Sequence, residues 1–174
     1  MIGFPIGMLY ANAAEWYIHK NLLHGAGKKR ESLWSFHFHE HHQASRKHDM
    51  VDTDYERSPF GLHAQGKELI GVAALAAVHT PLFVVAPFFT SAVVFSAVNY
   101  YRRHKRSHQD PTWAREHLTW HYDHHMGPNQ DSNWCVTYPW WDHVMGTREN
   151  YAFTDLEAKD RKRQEARRSR KAAA

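Results

Sequence analysis

The sequence predicts an all-α protein: an integral membrane helical bundle with a cytoplasmic, histidine-rich helical cap. Three observations carry this. Apolar residues concentrate near the N-terminus and in Leu69–Val98, while the rest of the 174-residue chain is polar and charged, and a bilayer requires such continuous apolar runs. Histidine makes up 16 residues, many of them bunched beside the ends of those runs. The basic clusters Lys28-Lys29-Arg30, Arg46-Lys47, Arg102-Arg103 with Lys105-Arg106, and the C-terminal run all fall on one side of the implied topology. By the positive-inside rule that side is cytoplasmic.

The length fits one domain with a single core, read as a membrane domain over residues 1–150 and a basic tail over 151–174. Ile2 to Ile18 forms the first apolar helix, about 25 Å long, with Pro5 tolerated in its first turns. Gly25-Ala26-Gly27 stops it. Glu31 to His48 reads as a second helix, too polar to span a membrane, and Asp49 to Gly66 as a loop broken by Pro59 and Gly61. Glu68 to Tyr101 would be about 50 Å long as one helix. Pro81 and Pro87 near its middle instead predict a helical hairpin that enters and leaves on the same side. Thr112 to His125 is a further water-facing helix, Asn129 to Thr147 a Trp-rich cap, and Lys159 to Lys171 a basic helical run. Ala172 to Ala174 reads as a cloning remnant.

Composition removes several classes. Cys135 is the only cysteine, so no intrachain disulfide and no cysteine-based zinc or iron–sulfur site is available. The net charge of +4 is modest, and the basic residues sit beside apolar spans with no recognition fold, which argues against nucleic acid. Ala11-Asn12-Ala13 imitates a cleavage site, but no basic segment precedes it and no secretory signal is expected.

The histidines carry the chemistry. On a helix, His121 and His125 lie about 40° apart with His124 about 60° to the other side, so the three share a face. His104 with His108, and His37 with His41, repeat the four-residue step. His39 points about 160° from His37 and is excluded, while His42 lies about 100° from His41 and suits a second metal. His19 and His24, five apart, converge only if the helix unwinds near Gly25. Ten imidazoles exceed one tetrahedral zinc and match two metals, with iron, zinc, copper and nickel all compatible. His48, His63, His79 and His143 are isolated and are given ordinary structural roles. His117 sits one turn before His121 and competes with His104 or His108.

These boxes resemble those of the fatty acid hydroxylase/sterol desaturase superfamily. His19-Lys-Asn-Leu-Leu-His24 matches its HX3–4H box, His37-Phe-His-Glu-His41-His42 its HX2–3HH box, and His121-Tyr-Asp-His124-His125 the distant HX2–3HH box. His104-Lys-Arg-Ser-His108 is similar to the additional pair of the hydroxylase branch. Glu15-Trp16-Tyr17 resembles the lead-in, and Trp141-Asp142-His143-Val144-Met145-Gly146-Thr147 the closing signature. The resemblance implies a membrane lipid hydroxylase: two iron ions (zinc as an alternative occupant) held by His19, His24, His37, His41, His42, His104, His108, His121, His124 and His125. Dioxygen would be the co-substrate and an apolar lipid the substrate. No His-Pro-Gly-Gly haem motif occurs, so electrons would come from a separate cytochrome b5-type or ferredoxin-type donor. The family commonly has about four membrane helices, more than the two or three candidates here.

Metal-bound imidazoles need an acceptor on the other ring nitrogen. Glu15, Glu40, Asp49, Asp123 and Asp142 are the carboxylates expected to serve. Trp113, Trp120, Trp134, Trp140 and Trp141 are expected either at the membrane interface or lipid tunnel, or in a small aromatic core. Two enzyme alternatives share the boxes, a carotenoid-type hydroxylase and a lipid desaturase. The alternative of another class is a non-catalytic membrane metal-binding protein, separated from the enzymes by whether an apolar channel or a polar, watered path leads to the metals.

Overall fold

Helix α1, Gly3–Ile18, opens the chain and runs without a break into a π-helical turn, His19–Ala26. The computed structural model describes residues 2–172, which form eight α-helices and no strand; Ala173 and Ala174 of the alanine remnant lie outside them. After the π turn the chain folds back at Gly27, where a Cβ would sit 2.8 Å from the Trp34 carbonyl oxygen. The helix expected over Glu31–His48 is therefore shorter. Residues 28–36 are mostly turns, followed by a second π turn, His37–His41, and α2, His42–Lys47.

The hairpin forms where the prolines place it. Helix α3 is Ala64–His79, a 3-10 turn covers Thr80–Val84 with Pro81 at its start, and α4, Pro87–Gln109, begins on Pro87. Each proline occupies a first-turn position, where its missing N–H costs no hydrogen bond. The helix expected over Thr112–His125 divides at Leu118 into α5, Pro111–His117, and α6, Thr119–Met126. Asp110 caps α5, accepting from the Trp113 N–H at 3.0 Å, and the fully buried Leu118 leaves helical geometry to fill the core. A short α7, Trp140–Val144, lies in the Trp-rich cap, and the basic α8, Asp155–Ala172, closes the chain.

Among the described residues one helical run, Ala64–Val84, is long and apolar enough to cross a membrane. The expected set of two or three spans reduces to this one, because α1 has 16 residues and α4 turns basic at Arg102. Helices α1 and α3 both lean on α4. The α1–α4 contact is close at Gly7, where a Cβ would meet the Phe89 carbonyl oxygen at 2.6 Å and the Ala92 Cβ at 2.7 Å. Large apolar side chains on the outside of these helices remain exposed: Ile2, Phe4, Ile6 and Leu9 on α1, Ile70 and Val78 on α3, Phe88, Phe95 and Val98 on α4. Two small apolar clusters, Met50 with Ala114, Tyr122, Tyr151 and Ala152, and Trp16 with Trp134 and Cys135, sit further along the chain's polar half. Between them the largest buried assembly is made of histidines.

Candidate metal centre

The two π turns decide which histidines meet. In a π turn the repeat is i to i+5 rather than i to i+4, so residues five apart stand on one face. His19 and His24 are five apart across the first such turn, and His37 and His42 are five apart across the second. All four point into one group with His124, with ligand nitrogens within 4.8 Å of one another. His41, His104, His108 and His125 form a second group by the same measure. This corrects the expected pairing of His37 with His41: the π turn moves His42 onto the face of His37 and sends His41 to the other group. The third box also divides, His124 to the first group and His125 to the second. His121 borders the second group, its Nε2 3.2 Å from that of His108.

The Nδ1 partners fix the tautomers. His19 Nδ1 donates to the Trp134 carbonyl at 2.5 Å and His124 Nδ1 to the Ser132 carbonyl at 2.6 Å. In the second group, His41 Nδ1 meets the Asp52 carboxylate at 2.8 Å, His104 Nδ1 meets Glu68 at 2.6 Å, and His108 Nδ1 donates to the Met50 carbonyl at 2.9 Å. With the proton on Nδ1, each of these rings presents a bare lone pair on Nε2.

Those lone pairs converge. His42 Nε2 lies 3.1 Å from His24 Nε2, 3.1 Å from His124 Nε2 and 3.2 Å from His37 Nε2, which is itself 2.9 Å from His19 Nε2. One ring nitrogen carries one proton or one lone pair, so no assignment of protons turns all these contacts into hydrogen bonds. In the second group, Nε2 of His41, His104 and His125 have no protein partner. Protonation is disfavoured as well. Burial, reinforced by the neighbouring histidines, holds His19, His37, His42, His108, His121, His124 and His125 well below the usual imidazole range, and pushes His24 down to about 2. Converging neutral imidazoles, each offering one ring-nitrogen lone pair, are what a transition-metal cation requires. Nitrogens held about 2.1 Å from one ion would lie within about 4.2 Å of each other, close to the spacing present. The donor set fits two ions.

The carboxylates that touch imidazoles of the two groups are Asp52 and Glu68, with Asp131 3.6 Å from His24 Nδ1. None of the five expected from sequence does so. Glu15 accepts from the Val136 N–H and from the Thr137 N–H at 2.8 Å, and Asp142 accepts from the Trp134 and Cys135 N–H groups at 2.8 and 2.9 Å. Both hold the loop whose Trp134 carbonyl meets His19, one step removed from the ring. Glu40, Asp49 and Asp123 pair instead with Lys67, Arg168 and Arg148; Asp49 lies in the turn after α2 rather than on a helix. Glu68 was readable, being the one carboxylate in the apolar stretch from 68 to 101. Asp52 sits in a loop without periodicity, where nothing marked it.

His39 turns outward onto the Lys28 carbonyl, and His117 stacks on Trp113. Neither joins a group. Trp134 packs edge-on against His24, with ring centroids 4.9 Å apart. Trp120 and Trp141 bond backbone carbonyls of Val136 and Leu9, Trp140 stacks on Tyr138, and Trp113 covers His117; these five Trp side chains pack the cap and its surroundings rather than a channel.

A cavity of about 200 Å³ leads away from the imidazoles. His19, His37 and His41 form its inner end, and Ala11, Ala14, Ile18, Val72, Leu75, Ala76, Val93 and Ala97 line the slot between α1, α3 and α4. Tyr55 lines it too and donates to Glu68. The walls are mostly apolar.

The sequence profile of the family described as Fatty acid hydroxylase matches residues 4–147. No curated protein and no solved structure matches the chain.

Proposed function

The chain belongs to the fatty acid hydroxylase family, and on that premise we propose that it is an integral membrane lipid hydroxylase. It inserts one oxygen atom of dioxygen into an unactivated C–H bond of an acyl, sterol or related chain. The other oxygen leaves as water with two electrons and two protons, which a separate cytochrome b5-type or ferredoxin-type protein and the solvent provide. One observation carries the reading: two buried groups of neutral imidazoles open onto an apolar slot rather than onto a polar path. That favours catalysis on an apolar substrate over metal storage or sensing.

His19, His24, His37, His42 and His124 would hold one iron, and His41, His104, His108 and His125 the other, with His121 beside the second. Two irons supply the electron transfer and dioxygen activation that no side chain here can perform. The residues of the chain do the rest. Asp52, Glu68 and the carbonyls of Met50, Ser132 and Trp134 keep the rings oriented and their protons on Nδ1. The walls of α1, α3 and α4 align the chain of the substrate and exclude water. The exposed apolar faces of those helices support burial in a bilayer, and the basic clusters support a cytoplasmic imidazole end.

Metal analysis of the protein purified in mild detergent, with His124→Ala alongside, tests the reading. About two irons per chain, falling in the variant, followed by a hydroxylated product in lipid extracts of expressing cells, is the expected result. About one zinc per chain, unaffected by His124→Ala, would overturn it.

A further inference from the structure

His79 is the histidine that the metal groups do not use and that lies within the one apolar run long enough to span a membrane. An ionisable side chain at such a depth is costly without a defined partner. His79 has two. Its Nδ1 donates to the Leu75 carbonyl at 2.7 Å, which leaves Nε2 as a lone pair, and the Tyr10 hydroxyl donates to that lone pair at 2.9 Å. Both ring nitrogens are thus engaged. Its bond to Tyr10 ties α3 to α1, two helices that otherwise meet mainly through α4.

This tie stands at the far end of the apolar slot. Of the residues lining the cavity, Tyr10 on α1 and Leu75 and Ala76 on α3 lie furthest along their helices from the imidazole-bearing ends. Tyr10 precedes His19 by nine residues and His79 follows Glu68 by eleven. At 1.5 Å per residue both lie about 14–16 Å from the imidazole end. The Tyr10 ring is also packed against Phe89 of α4, with centroids 5.3 Å apart, so three helices converge on it.

We propose that Tyr10, held in place by His79, is the end wall of the lipid cavity and sets the longest chain the protein accepts. The inference rests on the lipid-hydroxylase reading for its substrate class, but its geometry does not depend on metal. A chain that fits between the imidazoles and the phenol ring is held along its whole length. Tyr10 is 42% exposed, and a longer chain must push its ring outward and break the bond to His79. One methylene in an apolar pocket changes discrimination by roughly 10–200-fold, so the limit is expected to be sharp.

The test measures binding, apart from turnover. Saturated 1-alkanols of increasing length displace a fluorescent fatty acid from metal-free protein in mild detergent. In the unaltered chain, affinity rises with length and then falls about tenfold or more at one added methylene. Tyr10→Ala and His79→Ala move that fall to longer chains, and Tyr10→Phe, which keeps the ring and loses its tether, moves it less. Tyr17→Ala, exposed on α1 outside the cavity, leaves it in place. A series with no length limit, or a limit unmoved by Tyr10→Ala, overturns the proposal. A limit moved by Tyr10→Ala but not by His79→Ala or Tyr10→Phe overturns the role of His79. A sharp limit in a protein that, loaded with iron and given electrons, oxidises no lipid sinks the hydroxylase reading and leaves the end wall standing.

Discussion

Replacing Asp52 by alanine removes the carboxylate that holds His41, and the structure sets how much should be lost. Both side chains are buried, 4% and 2% exposed, and their contact is 2.8 Å. Burial alone would raise the Asp52 carboxyl, but the bond and charge of His41 outweigh it and hold the group below the usual carboxylate range. Burial lowers His41, and Asp52 offsets part of that. A hydrogen bond to a charged group contributes about 1.5–3 kcal/mol, which corresponds to roughly 10–150-fold in metal affinity and agrees with the 10–100-fold typical of such partners. Asp52 also caps the 3-10 turn Thr53–Glu56 through the Asp54 N–H at 3.0 Å, so Asp52→Asn, which keeps an acceptor, separates the two roles. The assay is a chelator titration followed by metal content and by circular dichroism. Asp52→Ala should release metal at about a tenth or less of the chelator concentration, with Asp52→Asn intermediate and the exposed Glu40→Gln unchanged. Equal retention in Asp52→Ala and the parent chain would refute the argument that Asp52 sets the basicity and aim of His41.

Two further predictions follow from packing and charge. Gly7→Val places side-chain atoms where the Phe89 backbone and Ala92 already stand; overpacking of about 1–3 kcal/mol should lower the melting temperature in detergent by roughly 2–12 °C. Gly71→Ala, with open space at its Cβ, should not lower it. Glu157, buried at the start of α8, binds Arg115 through two contacts of 2.7 Å and the Phe153 N–H at 2.7 Å. Burial raises its pKa, but those partners dominate and bring it from 4.5 to about 2. Its contribution, about 3.5 kcal/mol at about 1.4 kcal/mol per pKa unit, is therefore complete above pH 4.5 and lost as pH falls towards 2. Hydrogen exchange in α8 should accelerate across that window, and Glu157→Gln should expose α8 to trypsin at pH 7. Exchange that stays flat down to pH 2 would contradict the assignment.

Much of this architecture was legible because apolar runs, prolines and clustered histidines leave coarse marks. Pro81 and Pro87 announced the hairpin, and the histidine boxes announced the centre. The misassignment in the second box has one physical origin, the assumption of 3.6 residues per turn. With that period His37 belongs with His41; with the observed π turn it belongs with His42. The five-residue gap between His19 and His24 was the one hint that the period changes, and it was read as unwinding at Gly25 rather than as a wider turn. The acceptors were harder still. Three of the five contacts that orient rings come from carbonyls of Met50, Ser132 and Trp134, and a carbonyl has no signature in a sequence. Glu15 and Asp142 were singled out for being near the boxes; they brace the loop that presents one of those carbonyls.

Neighbouring residues divide between the two groups twice, His41 from His42 and His124 from His125. Each pair places one ring in either group across a single peptide unit. Immobilising His42 and His124 around one ion therefore fixes the backbone that presents His41 and His125 to the other, and the ordering entropy is spent only once. Loading is then cooperative: during titration of metal-free protein, native mass spectrometry should find empty and doubly loaded chains with few singly loaded ones. A dominant singly loaded species at half saturation would mean that the groups fill independently. On the proposed two-iron reading, cooperative loading would make the protein an all-or-none holder of its metals, and a cell short of iron would contain fewer complete centres rather than many half-built ones.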